Sequence, residues 1–307
     1  MNQDINKNLA DDEIDLRELF SAIWQGKRII TAVTFVFAVA SVFYAFSLPN
    51  IYKSEALLAP VAEENGMRIP GQLGSLAALA GVNLGGGGGS DKTTLAIEVL
   101  KSRDFISRFI EKHDLFVPVM AAEGWRRADD SLIVNDDIYS PVTEQWVRKA
   151  KPPFAPQPSV LETYEEFIKL LSISQDKTSG MIKIAIEHYS PYLAQQWVNW
   201  LVLDINEAMR QRELAEAERS IAYLQSQIAQ TNLADARSML FSLIEEQTKT
   251  VMLANVRSEY AFKTVDPAVV AEKKAKPARA LICILGIMLG GMLSVLFVLI
   301  SYFSKKS

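Results

Sequence analysis

The feature that most constrains this chain is where charge is missing. No Asp, Glu, Lys, Arg or His occurs from Ile29 to Phe46, nor from Ala280 to Phe303. The first window holds 18 residues and continues into Ser47 and Leu48; the second holds 24. About 20 apolar residues rising ~1.5 Å each cross a ~30 Å hydrocarbon core. The sequence therefore predicts two transmembrane helices, over 29–48 and 280–303. The first is expected to be an uncleaved anchor. It starts far from residue 1, its charge-free run exceeds a signal core of about 7–15 residues, and its exit, Ser47-Leu-Pro-Asn50, lacks a small-residue cleavage site.

Between the windows lie 233 residues, Ser47 to Arg279, enough for a folded domain with extensions. Four basic and six acidic groups occupy residues 1–28, and Lys305 and Lys306 follow the second window. The central region thus keeps a net charge of −4, the value of the whole chain. Such a domain offers no basic field to a phosphate backbone, so no nucleic-acid partner is expected. The one cysteine, Cys283, lies within the second window, which excludes a disulfide framework and a cysteine metal site. His113 and His188 stand 75 residues apart, without metal-ligand spacing.

Lys27 and Arg28 abut the first span and favour a cytoplasmic N-terminus. Lys273, Lys274, Lys276 and Arg279 before the second span argue the other way. Long loops translocate largely regardless of charge, however, and the first helix usually sets orientation. The expectation is a cytoplasmic tail at 1–28, a periplasmic domain at 49–279 and a cytoplasmic tail at 304–307.

Leu16, Leu19, Phe20, Ile23 and Trp24 recur at helical spacing, with Asp11 or Asp12 as cap, and predict a membrane-surface helix over 11–28. Tyr52 to Pro60 reads as a strand, and 61–90, ending in Gly85 to Gly89, as a glycine-rich loop. Helical periodicity resumes near Thr93 through Phe109 and Ile110, broken near Ser102. The proline-containing stretch 121–158 predicts short helices and loops. Leu170–Ser174 and Met181–Glu187 alternate as paired strands around a turn ending at Gly180. Ser190 then caps a helix with Pro191 at its first position. On that helix Trp197 and Trp200 share a face with Leu193, Leu201 and Ile205, a stripe that fits packing on the sheet better than sugar stacking.

Without Gly or Pro, helical character continues over a long region, 191–262. Leu214, Ala217, Ile221, Leu224 and Ile228 fit heptad core positions. The register slips near Leu233 and resumes through Leu240 and Leu243. One helix from Asn206 to Phe262 would reach ~85 Å, beyond any domain of this size. It would have to pack against other helices, which makes Leu214, Ile221, Leu224, Ile228 and Leu240 a candidate oligomer or packing face.

Gly85 to Thr94 has a superficial likeness to a phosphate loop, but Asp91 stands where glycine must precede the lysine, and no clean strand leads into it. No G-x-S-x-G or H-E-x-x-H occurs. The acid pairs Asp129/Asp130, Asp136/Asp137 and Glu165/Glu166 are sequence neighbours that point apart on a helix or strand. No catalytic, cofactor or metal residues are assigned, and no cofactor is expected. In the second span Gly286, Gly290 and Gly291 form a G-x-x-x-G seam that lets a helix approach closely, either the first span or a neighbouring subunit's.

The layout resembles the Wzz-type chain-length determinants, polysaccharide co-polymerases of Gram-negative inner membranes. The likeness is carried by Asp12-Glu-Ile-Asp-Leu-Arg-Glu-Leu-Phe20 leading to Trp24 and Lys27, by Tyr52 to Pro60, by Leu76 to Gly81, by Glu98 to Phe105, and by Pro267 and Pro277 in the membrane-proximal segment before the second span. Ala271 stands in the region where family members often carry a further proline. The resemblance implies an α+β fold: a periplasmic base domain with a long protruding helix or coiled coil, flanked by two transmembrane helices. It implies a ring-like homo-oligomer that sets the modal length of O-antigen made by a separate polysaccharide polymerase, in contact with the membrane and with the growing lipid-linked glycan. The kinase-type branch appends a nucleotide-binding domain after the second span, where this sequence has Ser304 to Ser307. The alternative is a membrane adaptor in the export of capsular or other surface polysaccharide.

Overall fold

The computed structural model describes residues 16–61 and 88–306. The cap at Asp11 or Asp12, most of the glycine-rich stretch and the Leu76–Gly81 segment lie outside them. The chain divides into two compact units, one of Met1–Asn50 with Ala275–Ser307, the other Ile51–Lys274.

In the first unit α1 (Leu16–Gln25) leads through Gly26 into α2 (Lys27–Ser47), and α9 (Arg279–Lys306) packs along α2. Both long helices are apolar enough to cross a membrane, over Lys27–Ser47 and Arg279–Ser304. Phe20 and Trp24 stack on the exposed side of α1, and the Lys27 ammonium lies 4.6 Å from the Trp24 ring centre.

The second unit is built on a four-stranded antiparallel sheet ordered β6-β7-β1-β8, formed by β1 (Tyr52–Pro60), β6 (Leu171–Gln175), β7 (Ile182–His188) and β8 (Phe262–Asp266). The alternation of Ile182, Ile184 and Ile186 puts one side of β7 in the core, as strand periodicity requires. The β6–β7 turn is held by the Asp176 carboxylate, which accepts the backbone N–H groups of Thr178 and Ser179 at 2.8 Å, and Gly180 supplies its positive φ of 71°. Against the sheet lie α4 (Arg103–Lys112), α6 (Val160–Leu170) and the first half of α7 (Pro191–Gln230). Trp197, Leu201 and Ile205 of α7 are fully buried with Phe109 and Phe167. The sequence expectation that Trp197 is a core residue is met.

Several expectations are corrected. Helix α3 (Gly88–Lys101) starts inside the predicted glycine-rich loop; glycine costs a helix about 1 kcal/mol but does not forbid it. Stretch 121–158 is mainly two small antiparallel ribbons, β2 (Ala122–Arg126) with β3 (Ser131–Val134) and β4 (Tyr139–Ser140) with β5 (Gln145–Trp146). Strands of two to five residues are too short to leave a readable period. Helix α5 (Phe116–Met120) and α6 were not anticipated, although Ser159 and Glu162 form a full capping box at the start of α6. The long helix is not one rod. It ends at Gln230, restarts as α8 (Ala234–Val256), and Phe262 begins a strand.

Candidate functional site

The break at Thr231–Leu233 turns the predicted rod into a helical hairpin. Thr231 and Leu233 adopt extended φ/ψ, at (−99°, 122°) and (−82°, 123°), so the chain leaves the helix without glycine or proline. Helix α8 then packs back along α7. The arms are matched: α7 has 25 residues from its base at Asn206 to Gln230, and α8 has 23. Each arm therefore reaches ~35 Å instead of ~85 Å. Leu214, Ile221, Leu224 and Ile228 are half-buried at heptad spacing on α7, and Leu240 is half-buried on α8 with Ile244, Gln247 and Val251. Burial at this spacing on both arms is the seam of an antiparallel helix pair. The predicted packing face thus lies within one chain.

A buried amide locks the base of the hairpin. Asn206 Oδ1 accepts the backbone N–H groups of Ala261 and Phe262 at 2.8 and 2.9 Å, while Nδ2 donates to the Val202 and Phe262 carbonyls at 3.0 and 3.1 Å. All four hydrogen-bonding positions of the side chain are used. Just beyond, exposed Pro267 follows β8, and the next residues are tied down: Gln195 donates to the Ala268 carbonyl at 3.1 Å and buried Ser54 to the Val269 carbonyl at 2.7 Å.

The outer surface of the hairpin is apolar in places where water should cover it. Phe241 (56% exposed), Met252 (63%) and Val256 (83%) fall at i, i+11 and i+15 on one flank of α8, and Tyr223 projects from α7. Single exposed apolar residues are ordinary, but a flank of them on a projecting element marks an interaction surface.

In the first unit two of the three glycines of α9 lie close against α2. A Cβ at Gly286 or Gly290 would come within 3.0 Å of Ser41 or Phe37 of α2, whereas one at Gly291 would meet nothing closer than Thr34 at 3.9 Å. The seam that Gly286 and Gly290 open is therefore filled by the first span of the same chain. At the end of α2, Arg279 donates to the Ala45 carbonyl at 3.0 Å, the Leu48 carbonyl at 3.4 Å and Asn50 Oδ1 at 3.0 Å. A guanidinium there satisfies carbonyls left over at a helix C-terminus and matches its negative dipole end. The Pro277 carbonyl accepts the Arg279 N–H at 3.0 Å, so this proline helps start α9.

The polar clusters of the second unit are engaged with their own neighbours. His113 stacks on Trp200 with ring centres 4.2 Å apart, and its Nε2 lies 2.8 Å from Asp204, which also accepts Lys112. His188 is buried at the end of β7; Nε2 donates to the Pro118 carbonyl and Nδ1 accepts the Ser190 N–H. Burial pushes this imidazole below the usual histidine range, against the two backbone hydrogen bonds. Partial burial acts to raise Glu162, but the Ser159 N–H and Arg148 guanidinium outweigh it and hold the carboxyl below its ordinary value. Lys92 pairs with Glu213 of α7 at 2.9 Å, so the lysine of the phosphate-loop look-alike is a strut. Among the described residues no three His, Cys, Asp or Glu converge as a metal site. Sequence reasoning missed Asn206, whose partners Ala261 and Phe262 lie 55 and 56 residues away, and Arg279 as a cap.

These features define a class: a two-span membrane protein whose second unit is an α+β base carrying a helical hairpin. Comparison with known proteins gives the family. The family model described as "Chain length determinant protein" (Wzz) matches residues 12–113, and the GNVR G-rich domain matches residues 238–303. The ferric enterobactin transport protein FepE of Escherichia coli (strain K12) is 39% identical over 51 residues, which are 17% of this chain and 14% of that protein. Among solved structures, a full-length bacterial polysaccharide co-polymerase covers 96% of this chain and 99% of its own at 14% identity, with a TM-score of 0.39. A fragment of WzzB, the polysaccharide co-polymerase from Salmonella Typhimurium, covers 74% of this chain and 100% of its own at 14% identity, with a TM-score of 0.29. Residues 12–113 thus carry the signature of the Wzz chain-length-determinant family. Two candidate spans and this family fit the bacterial inner membrane.

Proposed function

We propose that the protein is a non-catalytic inner-membrane scaffold that sets the modal chain length of lipopolysaccharide O-antigen, acting with a separate polysaccharide polymerase. In this reading both termini are cytoplasmic and the unit Ile51–Lys274 is periplasmic. Copies of the chain assemble into a ring through the hairpins. The observation that carries the reading is the hairpin itself, in a chain of this family. Its inner seam is filled by its own two arms, yet Phe241, Met252 and Val256 stay bare on the outer flank of α8. In water such a flank is covered by another molecule, and a second copy supplies an equal surface.

The test is deletion of the gene and separation of surface lipopolysaccharide by length on a gel. A modal cluster of long chains should collapse to an unregulated ladder, and the full chain should restore it. Disappearance of all surface polymer would favour the second reading, an adaptor in polysaccharide export, toward which the transport name of FepE points. An unchanged ladder would refute the O-antigen assignment.

A further inference from the structure

We infer that the second unit carries a glycan-binding platform made by Tyr52, Trp125 and Tyr192, away from the hairpin. Three elements bring these rings together: Tyr52 opens β1, Trp125 lies in β2, and Tyr192 is the second residue of α7. Tyr52 meets Trp125 edge to face with ring centres 5.6 Å apart, and Tyr192 lies 6.1 Å from Trp125 at 56°. None of the three is fully buried, and Tyr192 is 48% exposed. Core aromatics of this protein behave differently: Trp197 and Phe167 are completely enclosed.

The indole at the centre is held in place. Trp125 Nε1 donates to Asp130 Oδ1 at 2.7 Å, and Asp130 sits in left-handed backbone at φ 51°, a conformation that costs a non-glycine residue energy. The neighbouring turn is fixed as well, because Asp129 accepts Arg126 at 3.1 Å and Ser131 at 2.8 Å. An oriented ring whose N–H is already satisfied offers only its apolar surface. Around it stand two tyrosine hydroxyls, exposed carboxylates and Arg126. Pyranose rings match this arrangement: their C–H faces stack on aromatic rings, while their hydroxyls need donors and acceptors at the rim. Aromatic side chains with a polar tip suit such half-wet contacts. An apolar peptide would leave those rim groups unused, and the carboxylates argue against a phosphate-rich ligand.

The inference rests on the proposed function in one respect, the choice of the polymer being lengthened as the glycan. The experiment uses the full chain in detergent micelles, titrated with polysaccharide released by mild acid from the surface lipopolysaccharide of the producing strain and read by saturation-transfer NMR. Binding should weaken about five- to ten-fold in Tyr192→Ala, the size of one aromatic contact, with the thermal midpoint unchanged. Trp125→Phe, which keeps a ring but loses the Asp130 bond, should weaken it less. Tyr223→Ala, an exposed aromatic on the hairpin, should leave it intact. No binding by the unaltered protein, or binding that survives Tyr192→Ala and Trp125→Ala together, overturns the platform. So does a loss in Tyr192→Ala matched by a fall in thermal midpoint, because the cluster would then only anchor the ribbon. Complementing the deletion strain separates the two ideas. If Tyr192→Ala loses binding but restores the modal cluster, length control stands and does not use the platform. If deletion itself leaves the ladder unchanged, length control fails, and the titration still decides whether the platform binds sugar.

Discussion

The two helix pairs of this protein, the spans α2/α9 and the hairpin α7/α8, solve one packing problem in different solvents. Each has a polar lock at one end: Arg279 on the last carbonyls of α2, and Asn206 on the start of β8. Their seams differ. Between the spans the contact is made by glycine, because lipid is as apolar as leucine and only close approach gains packing. Between the hairpin arms it is made by Leu214, Ile221, Leu224, Ile228 and Leu240, because removing such side chains from water is itself stabilising. Their outer faces differ more. Exposed Leu285, Met288 and Phe297 on α9 are covered by the bilayer, whereas exposed Phe241, Met252 and Val256 on α8 have no lipid to cover them. In the proposed topology the same chemistry means solvation in one pair and an open association surface in the other.

The largest effect expected comes from the hairpin's lock. Asn206→Leu keeps the volume close but leaves the Ala261 and Phe262 N–H groups and the Phe262 carbonyl without that partner. Each buried unsatisfied group costs about 1–3 kcal/mol, so denaturant unfolding of the full chain in detergent should show a loss on the order of 3 kcal/mol. Proteolysis should then cut first between 231 and 262. If stability is unchanged, the lock is not what closes the hairpin.

Next in size is the span seam. Leucine at Gly290 would drive into Phe37, and overpacking costs about 1–3 kcal/mol. In a Cys283→Ser background, cysteines at Thr34 and Gly291, where a side chain has room, should cross-link in membranes, and Gly290→Leu should suppress the bond. A change of shape at constant volume in the hairpin, Leu224→Ile, should be nearly silent there, since a seam of large residues tolerates such exchange. Equal sensitivity in both pairs would erase the distinction drawn between them.

These locks also mark where sequence reading stops. The spans were legible because charge is absent over a whole bilayer length, and β6 and β7 because Ile182, Ile184 and Ile186 alternate. Trp197 was legible as core from its helical stripe. The hairpin turn was not: Thr231-Asn-Leu233 contains no helix breaker, and the only trace was the register slip near Leu233. Strand β8 is fixed by pairing with β1, more than 200 residues away in sequence, which no local pattern encodes. For the glycines, sequence gave the close approach but left two partners open, and the same chain's α2 supplies the contact. Gly286 and Gly290 were therefore readable as a seam and Asn206 was not readable as a lock, because a G-x-x-x-G is local and the amide's partners across the hairpin base lie 55 and 56 residues away.

Acid should separate the two units by a smaller margin. His188 has its pKa depressed by burial, so the folded protein binds fewer protons than the unfolded chain. Its contribution to stability is complete above the unfolded value of about 6.5 and is lost as pH falls below it. Thermal melting from pH 8 to pH 5 should show the sheet-bearing unit weakening below about pH 6.5, with the slope reduced in His188→Gln. Both histidines lie outside the spans, so the contact between the spans should not change over this range. A pH-dependent span contact, or an unaltered slope in the variant, would count against this division.

The smallest effect on the isolated fold should be the most informative about assembly. Met252 and Val256 are 63% and 83% exposed, so Met252→Lys with Val256→Lys removes little intramolecular contact. Exposed substitutions of this kind stay within about 0.5 kcal/mol, and the thermal midpoint should hardly move. Cross-linking and light scattering of the full chain in detergent should nevertheless shift toward smaller species, because two ammonium groups on the bare flank of α8 oppose its burial against a second copy. Lysine at Met288, equally exposed on α9, should do the reverse: it leaves the hairpin surface untouched but costs membrane insertion about 2.5–3.5 kcal/mol. If the double lysine variant keeps the size of the unaltered protein, the bare flank is not what joins the subunits. If Met288→Lys inserts normally, α9 does not cross the bilayer core. Met252→Lys and Met288→Lys place the same charge on similarly exposed methionines, and the surrounding medium alone makes one part of a test of assembly and the other a test of insertion.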